Sequence, residues 1–139
     1  MLHDTEASEV KNFYTYYNSA VAGGTQVSSA YRLVNEIVEK ENLVRDYNIY
    51  IFHGTDGDDW DTGGKEALPQ LEKMISYASR VGISIAEHTA EATHNTEVEK
   101  YLKKSELLTK KPNLLRLDVM PESAEESRLI EGIKHLISE

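Results

Sequence analysis

Tyr47-Asn48-Ile49-Tyr50-Ile51-Phe52-His53 is followed at once by Gly54-Thr55-Asp56-Gly57-Asp58-Asp59-Trp60-Asp61. The first seven residues are rich in aromatic and β-branched side chains, with a near-continuous apolar run at 49–52. That composition predicts a strand covered on both faces, as in a parallel sheet. The rest, through Gly64, predicts a loop at the carboxyl end of the strand. In a parallel α/β sheet such loops are where ligands bind.

Helical periods lie on both sides of this strand. Before it, Val27, Ala30, Tyr31, Val34, Ile37 and Val38 recur at helical spacing over residues 25–42, with Thr25 at the N-cap position and Gly23-Gly24 ahead of it. After it, a helix is predicted from about Lys65 to Val81, with Pro69 tolerated in its first turn and Gly82 as its C-cap. A short strand follows at 83–87, and Thr96-Glu97-Val98-Glu99 reads as a capping box opening a third helix with Val98, Tyr101 and Leu102 inward. Leu114 to Met120 reads as a strand. Ser123-Ala124-Glu125-Glu126 reads as a second capping box, opening a helix with Leu129, Ile130, Ile133, Leu136 and Ile137 on one face. Strands alternating with helices predict right-handed βαβ units: a three-layer α/β/α fold with a mostly parallel sheet. Residues 10–17 carry Phe13-Tyr14-Thr15-Tyr16-Tyr17 and favour a strand by propensity, with a short helix or irregular segment as the alternatives.

Composition bounds the function. The 139 residues suit one domain, and 40% hydrophobic content supports a packed core. A net charge of −9 argues against nucleic acid and against an anionic membrane surface, both of which are recognised through Lys and Arg. With no Cys there is no disulfide, zinc-thiolate site or thiol nucleophile. The N-terminus lacks the basic-then-apolar pattern of a signal peptide, so a cytoplasmic location is expected.

Two loops carry the candidate chemistry. Residues 18–25 offer hydroxyls at Ser19 and Thr25; the Asp-rich loop offers Asp56, Asp58, Asp59 and Asp61. Hydroxyl and carboxylate oxygens are what Mg²⁺, Mn²⁺ or Ca²⁺ prefer. The spacing rejects an EF-hand: counted from Asp56, position 6 is Asp61 rather than Gly. It also rejects a P-loop ending at Gly64-Lys65, which would need Gly at 59 and Ser or Thr at 66. Plainer roles exist beside the ligand roles: helix N-cap for Thr25, turn former for Asp56, solvated loop carboxylates for Asp58, Asp59 and Asp61. Trp60 reads as packed on the loop or helix base, and His53 as a satisfied core or edge histidine. His88 and His94 read as too scattered for a metal pair.

Thr5-Glu6-Ala7-Ser8-Glu9-Val10, Gly23-Gly24-Thr25-Gln26-Val27-Ser28-Ser29-Ala30, Asn48-Ile49-Tyr50 and the Thr-Asp-Gly-Asp-x-Trp run at Thr55 to Trp60 together resemble the YeaH/YhbH family. That bacterial and archaeal family carries a von Willebrand factor A-like domain. It is associated with stress response and sporulation, often alongside a PrkA-type serine kinase and a SpoVR-type protein. The resemblance implies a metal-ion-dependent adhesion site, a non-enzymatic surface where a divalent cation takes a carboxylate from a partner protein. It assigns Thr25 and Asp56 to that site, with Mg²⁺ or Mn²⁺ as the ion. The Asp-x-Ser-x-Ser motif that supplies the remaining ligands occurs nowhere in the 139 residues. The motif order therefore reads as the later part of a von Willebrand A-like domain lacking its first strands, with an incomplete, weak metal site. Such a domain exposes the apolar edge of the strand at 47–53, and self-association through that edge, or its coverage by residues 10–17, is expected. The alternative function is a divalent-metal-dependent hydrolase or phosphoryl-transfer enzyme using the Asp56–Asp61 loop, chemistry that needs only positioned carboxylates and a metal.

Overall fold

The computed structural model describes residues 1–3, 7–9, 26–88 and 96–138. Thr25, Ser19, residues 10–17 and His94 lie outside them. In chain order the elements are β1 (Leu2–His3), β2 (Ala7–Ser8), α1 (Val27–Lys40), α2 (Leu43–Asp46) and β3 (Tyr50–Thr55). A 3-10 turn (Thr62–Gly64), α3 (Ala67–Tyr77), β4 (Arg80–Glu87), α4 (Glu97–Lys104), α5 (Leu107–Lys110), β5 (Leu115–Pro121) and α6 (Glu126–Ile137) follow. β1 and β2 form a short antiparallel pair against α1.

The fold is mixed α/β, built on a parallel sheet in the order β3-β4-β5. The registers pair Phe52 with Gly82 and Ile83 with Leu117. Because side chains alternate across a strand, β4 splits into two faces. Val81, Ile83 and Ile85 are fully buried under α1, α3 and α4, in a core with Val27, Tyr31, Leu71, Met74, Val98, Tyr101 and Leu102. Gly82 and Ser84 face the other way, toward α6. A Cβ at Gly82 would stand 2.8 Å from the Phe52 ring and 3.3 Å from Leu136 Cβ, so glycine is what lets helix and ring close on the sheet.

Several sequence expectations are corrected. α3 ends at Tyr77, and β4 begins at Arg80, three residues earlier than the predicted strand; Gly82 is a strand residue and not a C-cap. The cause is long-range: the Val81 N–H is claimed by the Leu114 carbonyl at 2.7 Å, which extends the chain where local preference favours helix. Ser123 does not cap α6, whose N-cap is Glu125, because Ala124 N–H closes a turn on the Pro121 carbonyl first. Gln26, not Thr25, occupies the N-cap position of α1. Of the five apolar residues that share one face of α6, only Leu136 is buried; Leu129, Ile130, Ile133 and Ile137 are exposed. β3 is not covered on both faces either, since Tyr50 is 60% and Phe52 53% exposed. The Thr96 cap is present as read: its Oγ1 accepts the Glu99 N–H.

The two sheet edges differ. In β5 the N–H and C=O groups of Leu115, Leu117 and Val119 point outward, since their neighbours pair with β4. Two of these groups are already used: Leu115 N–H donates to the Lys111 carbonyl at 2.9 Å, and Arg128 donates to the Val119 carbonyl at 3.0 Å while pairing with Asp118. In β3 the outward groups belong to Tyr50, Phe52 and Gly54, and no strand pairs with them among the described residues.

Candidate functional site

The four carboxylates of the Asp56–Asp61 loop divide into two pairs with different work. Asp59 is part-buried and accepts three hydrogen bonds: from Val27 N–H at 3.3 Å, Asp61 N–H at 3.1 Å and Tyr101 O–H at 2.9 Å. It thus caps the first turn of α1 from a distant loop, a task that Gln26 leaves undone. Burial is the largest influence on its carboxyl and raises its pKa above the ordinary value, against the lowering effect of those three bonds. The same environment pushes the Tyr101 and Tyr31 hydroxyls up, first by burial and then through neighbouring charge. Asp61 Oδ2 accepts the N–H groups of Glu66 and Ala67, both at 2.8 Å, and so caps α3. Asp59 and Asp61 are structural, not solvated loop carboxylates.

Asp56 and Asp58 are left on the surface. Asp58 N–H donates to Asp56 Oδ1 at 3.0 Å, and Gly57 N–H to Thr55 Oγ1 at 3.1 Å, a turn that needs the left-handed φ of +91° at Gly57. A Cβ on Gly57 would lie 2.5 Å from Thr96 Cβ, and Val98 N–H donates to the Gly57 carbonyl at 3.0 Å, so the loop is clamped to the start of α4.

The sheet topology then brings in partners that sequence spacing missed. Asp56 follows β3, His88 follows β4 and Glu122 follows β5, all at the carboxyl ends of parallel neighbours. His88 joins them: Nδ1 stands 2.8 Å from Glu122 Oε2 and Nε2 stands 3.2 Å from Asp56 Oδ2. The hydrogen bond to Glu122 and then that to Asp56 raise the His88 pKa above its usual value. Asp56, Asp58 and His88 each offer one ligand atom, all within 4.8 Å of one another. Two carboxylate oxygens and an imidazole nitrogen are a donor set that Mn²⁺ accepts readily and Mg²⁺ less so. The only signal in the sequence was that residues 87–88 close a strand; that it lies beside the Asp56 strand needed the fold.

The remaining readings fall out plainly. His53 is buried, with Nδ1 3.0 Å from the Tyr31 hydroxyl, as a satisfied core histidine. Trp60 is 69% exposed and not packed on the loop base. Thr25 lies outside the described residues, so of the two predicted metal ligands only Asp56 is placed.

Compared with known proteins, residues 1–121 match a family described as "Protein of unknown function (DUF444)". The chain belongs to the DUF444 family. The YeaH/YhbH name suggested by its motifs denotes the same family. A relative in DUF444, the UPF0229 protein of Ruminiclostridium cellulolyticum, is 32% identical over 80 residues, 58% of this chain and 20% of that protein. The UPF0229 protein of Serratia proteamaculans is 37% identical over 90 residues, 62% of this chain and 21% of that protein. That of Pseudomonas putida KT2440 is 37% identical over 92 residues, 63% and 22%. The chain spans about a fifth of the length of these DUF444 relatives. No solved structure matches it. No helix among the described residues is long and apolar enough to cross a membrane.

Proposed function

We propose that this chain is part of a non-enzymatic, von Willebrand A-like interaction module in the cytoplasm, whose strand ends bind a carboxylate of a partner protein through Mn²⁺ or Mg²⁺. The observation that carries this reading is the convergence of Asp56, His88 and Glu122 from the loops after three adjacent parallel strands, with Asp58 beside them. Asp56, Asp58 and His88 would hold the ion, and Thr25 is the hydroxyl ligand that the family resemblance adds. A cation there supplies an open coordination position for an anionic partner group. The set is exposed, and no Asp-x-Ser-x-Ser is in the chain, so the ion keeps most of its water and binds weakly. The PrkA-type kinase and SpoVR-type protein associated with the family are the first partners to test.

The alternative, a metal-dependent hydrolase using the same loop, fares worse. Asp59 is committed to Val27, Asp61 and Tyr101, and Asp61 to the Glu66 and Ala67 N–H groups, which leaves two loop carboxylates for the metal. Titration with Mn²⁺, read by electron paramagnetic resonance, tests the proposal. Saturable binding weakened at least tenfold by Asp56→Ala and unaffected by Glu36→Ala is expected. Equal binding by wild type and Asp56→Ala would overturn the metal site.

A further inference from the structure

Glu122 is not one of the three residues that would hold the ion, yet it makes the shorter of the two contacts to His88. Nδ1 of the ring stands 2.8 Å from Glu122 Oε2, and Nε2 stands 3.2 Å from Asp56 Oδ2. The backbone keeps Glu122 in that place. The sheet register pairs Glu87 with Pro121, and one residue further on the Glu122 N–H donates to the Glu87 carbonyl at 2.7 Å. His88 follows Glu87 directly, so the last rung between β4 and β5 sets the carboxylate beside the ring. Asp56 is held from the other side. Its Oδ1 accepts the Asp58 N–H at 3.0 Å, which leaves Oδ2 toward the ring.

A neutral imidazole has one N–H donor and one bare nitrogen, and the hydrogen bond made at one nitrogen decides the role of the other. Each His88 nitrogen faces a carboxylate, and the closer contact keeps the proton. Nδ1–H then donates to Glu122, and the Nε2 lone pair is turned toward Asp56 and Asp58. Two bare acceptors, Nε2 and Asp56 Oδ2, repel one another unless a proton or a cation stands between them. A histidine that ligates a metal through one nitrogen almost always donates the other N–H in this way, which fixes its tautomer and raises its basicity.

We propose that Glu122 is a positioning residue, which holds His88 as the Nδ1–H tautomer, makes Nε2 a metal ligand and so gives the Asp56, Asp58 and His88 set a preference for Mn²⁺ over Mg²⁺. The role rests on the metal-site reading above and chooses between the two ions named there. Mg²⁺ keeps to oxygen ligands and gains little from an imidazole, whereas Mn²⁺ accepts one. The Glu122 charge attracts any divalent cation alike, so the ratio of Mn²⁺ to Mg²⁺ affinity separates ring orientation from charge.

Two measurements on Glu122→Ala test the role, and the exposure of Glu122 lets that variant keep the fold. In metal-free, ¹⁵N-labelled protein with the ring neutral, NMR shows His88 as the Nδ1–H tautomer in the wild type and a shift toward Nε2–H in the variant. In Mn²⁺ titrations read by electron paramagnetic resonance, with Mg²⁺ as competitor, the variant loses about tenfold or more in Mn²⁺ affinity and less than about threefold in Mg²⁺ affinity. Electron spin echo spectra of the Mn²⁺-loaded wild type carry a ¹⁴N coupling that His88→Gln removes. A wild type that takes up no Mn²⁺ sinks the metal-site reading and the role of Glu122 with it. Mn²⁺ binding that Asp56→Ala weakens but that shows no ¹⁴N coupling overturns the role of Glu122 alone. So does an Nε2–H ring in the wild type, or an equal loss for both ions in Glu122→Ala; the carboxylate site then stands without it.

Discussion

Replacing Asp59 with alanine separates the structural carboxylates of the loop from the surface pair. The substitution removes the acceptor for Val27 N–H at the start of α1, for Asp61 N–H and for the buried Tyr101 hydroxyl. Loss of a helix cap costs about 1 kcal/mol. A buried hydroxyl left without a partner costs about 1–3 kcal/mol. The desolvation that raises the Asp59 pKa is relieved at the same time, which returns part of this. The net expectation is a loss of about 2 kcal/mol, or roughly 7 °C in Tm for a chain of this size. Asp58→Ala, one residue away and exposed, changes stability by less than about 0.5 kcal/mol. The sign of the pH dependence follows from the raised pKa. A group whose folded pKa lies above its unfolded value contributes stability that is full below the unfolded pKa and lost as pH rises through the folded one. The Asp59→Ala penalty is therefore larger near pH 4 than at pH 7. Thermal and urea melts followed by circular dichroism measure all three quantities. An Asp59→Ala protein melting within about 2 °C of Asp58→Ala would refute the capping role.

Two further outcomes follow from the same loops. His88, with its pKa raised by Glu122 and then Asp56, titrates by NMR with a midpoint above 6.5; Glu122→Gln lowers it more than Asp56→Asn. Its contribution to stability is full below the unfolded pKa and fades as pH rises through the folded value, and a wild-type midpoint at or below 6.5 would contradict the bridge. Gly57→Ala, at φ +91° and 2.5 Å from Thr96 Cβ, loses about 1–3 kcal/mol in urea unfolding, whereas Gly54→Ala, with nothing within 4 Å of the added Cβ, stays near wild type.

The helices whose apolar face meets the core were legible, because burial and period coincide there: Val27, Ala30, Tyr31 and Val38 in α1, Val98, Tyr101 and Leu102 in α4. The parallel sheet was legible from the alternation of elements. What local pattern missed was decided by distant atoms. The end of α3 yields to pairing of β4 with Leu114, and the cap of α1 comes from Asp59, 32 residues away. The apolar face of α6 was legible as a face but not as exposed, because periodicity reports that a face is apolar, not whether anything covers it. Asp56 was found by its position after a strand; His88 and Glu122 were missed because only the strand order makes them its neighbours.

Arg128 marks one margin of the sheet. Its guanidinium sits on the Val119 carbonyl while it pairs with Asp118, whereas no strand or side chain of that kind meets the Tyr50–Gly54 margin among the described residues. A side chain that takes an outward carbonyl leaves one acceptor fewer for a foreign strand, so the β5 margin is guarded against edge-to-edge growth by the same ion pair that fixes α6 to the sheet.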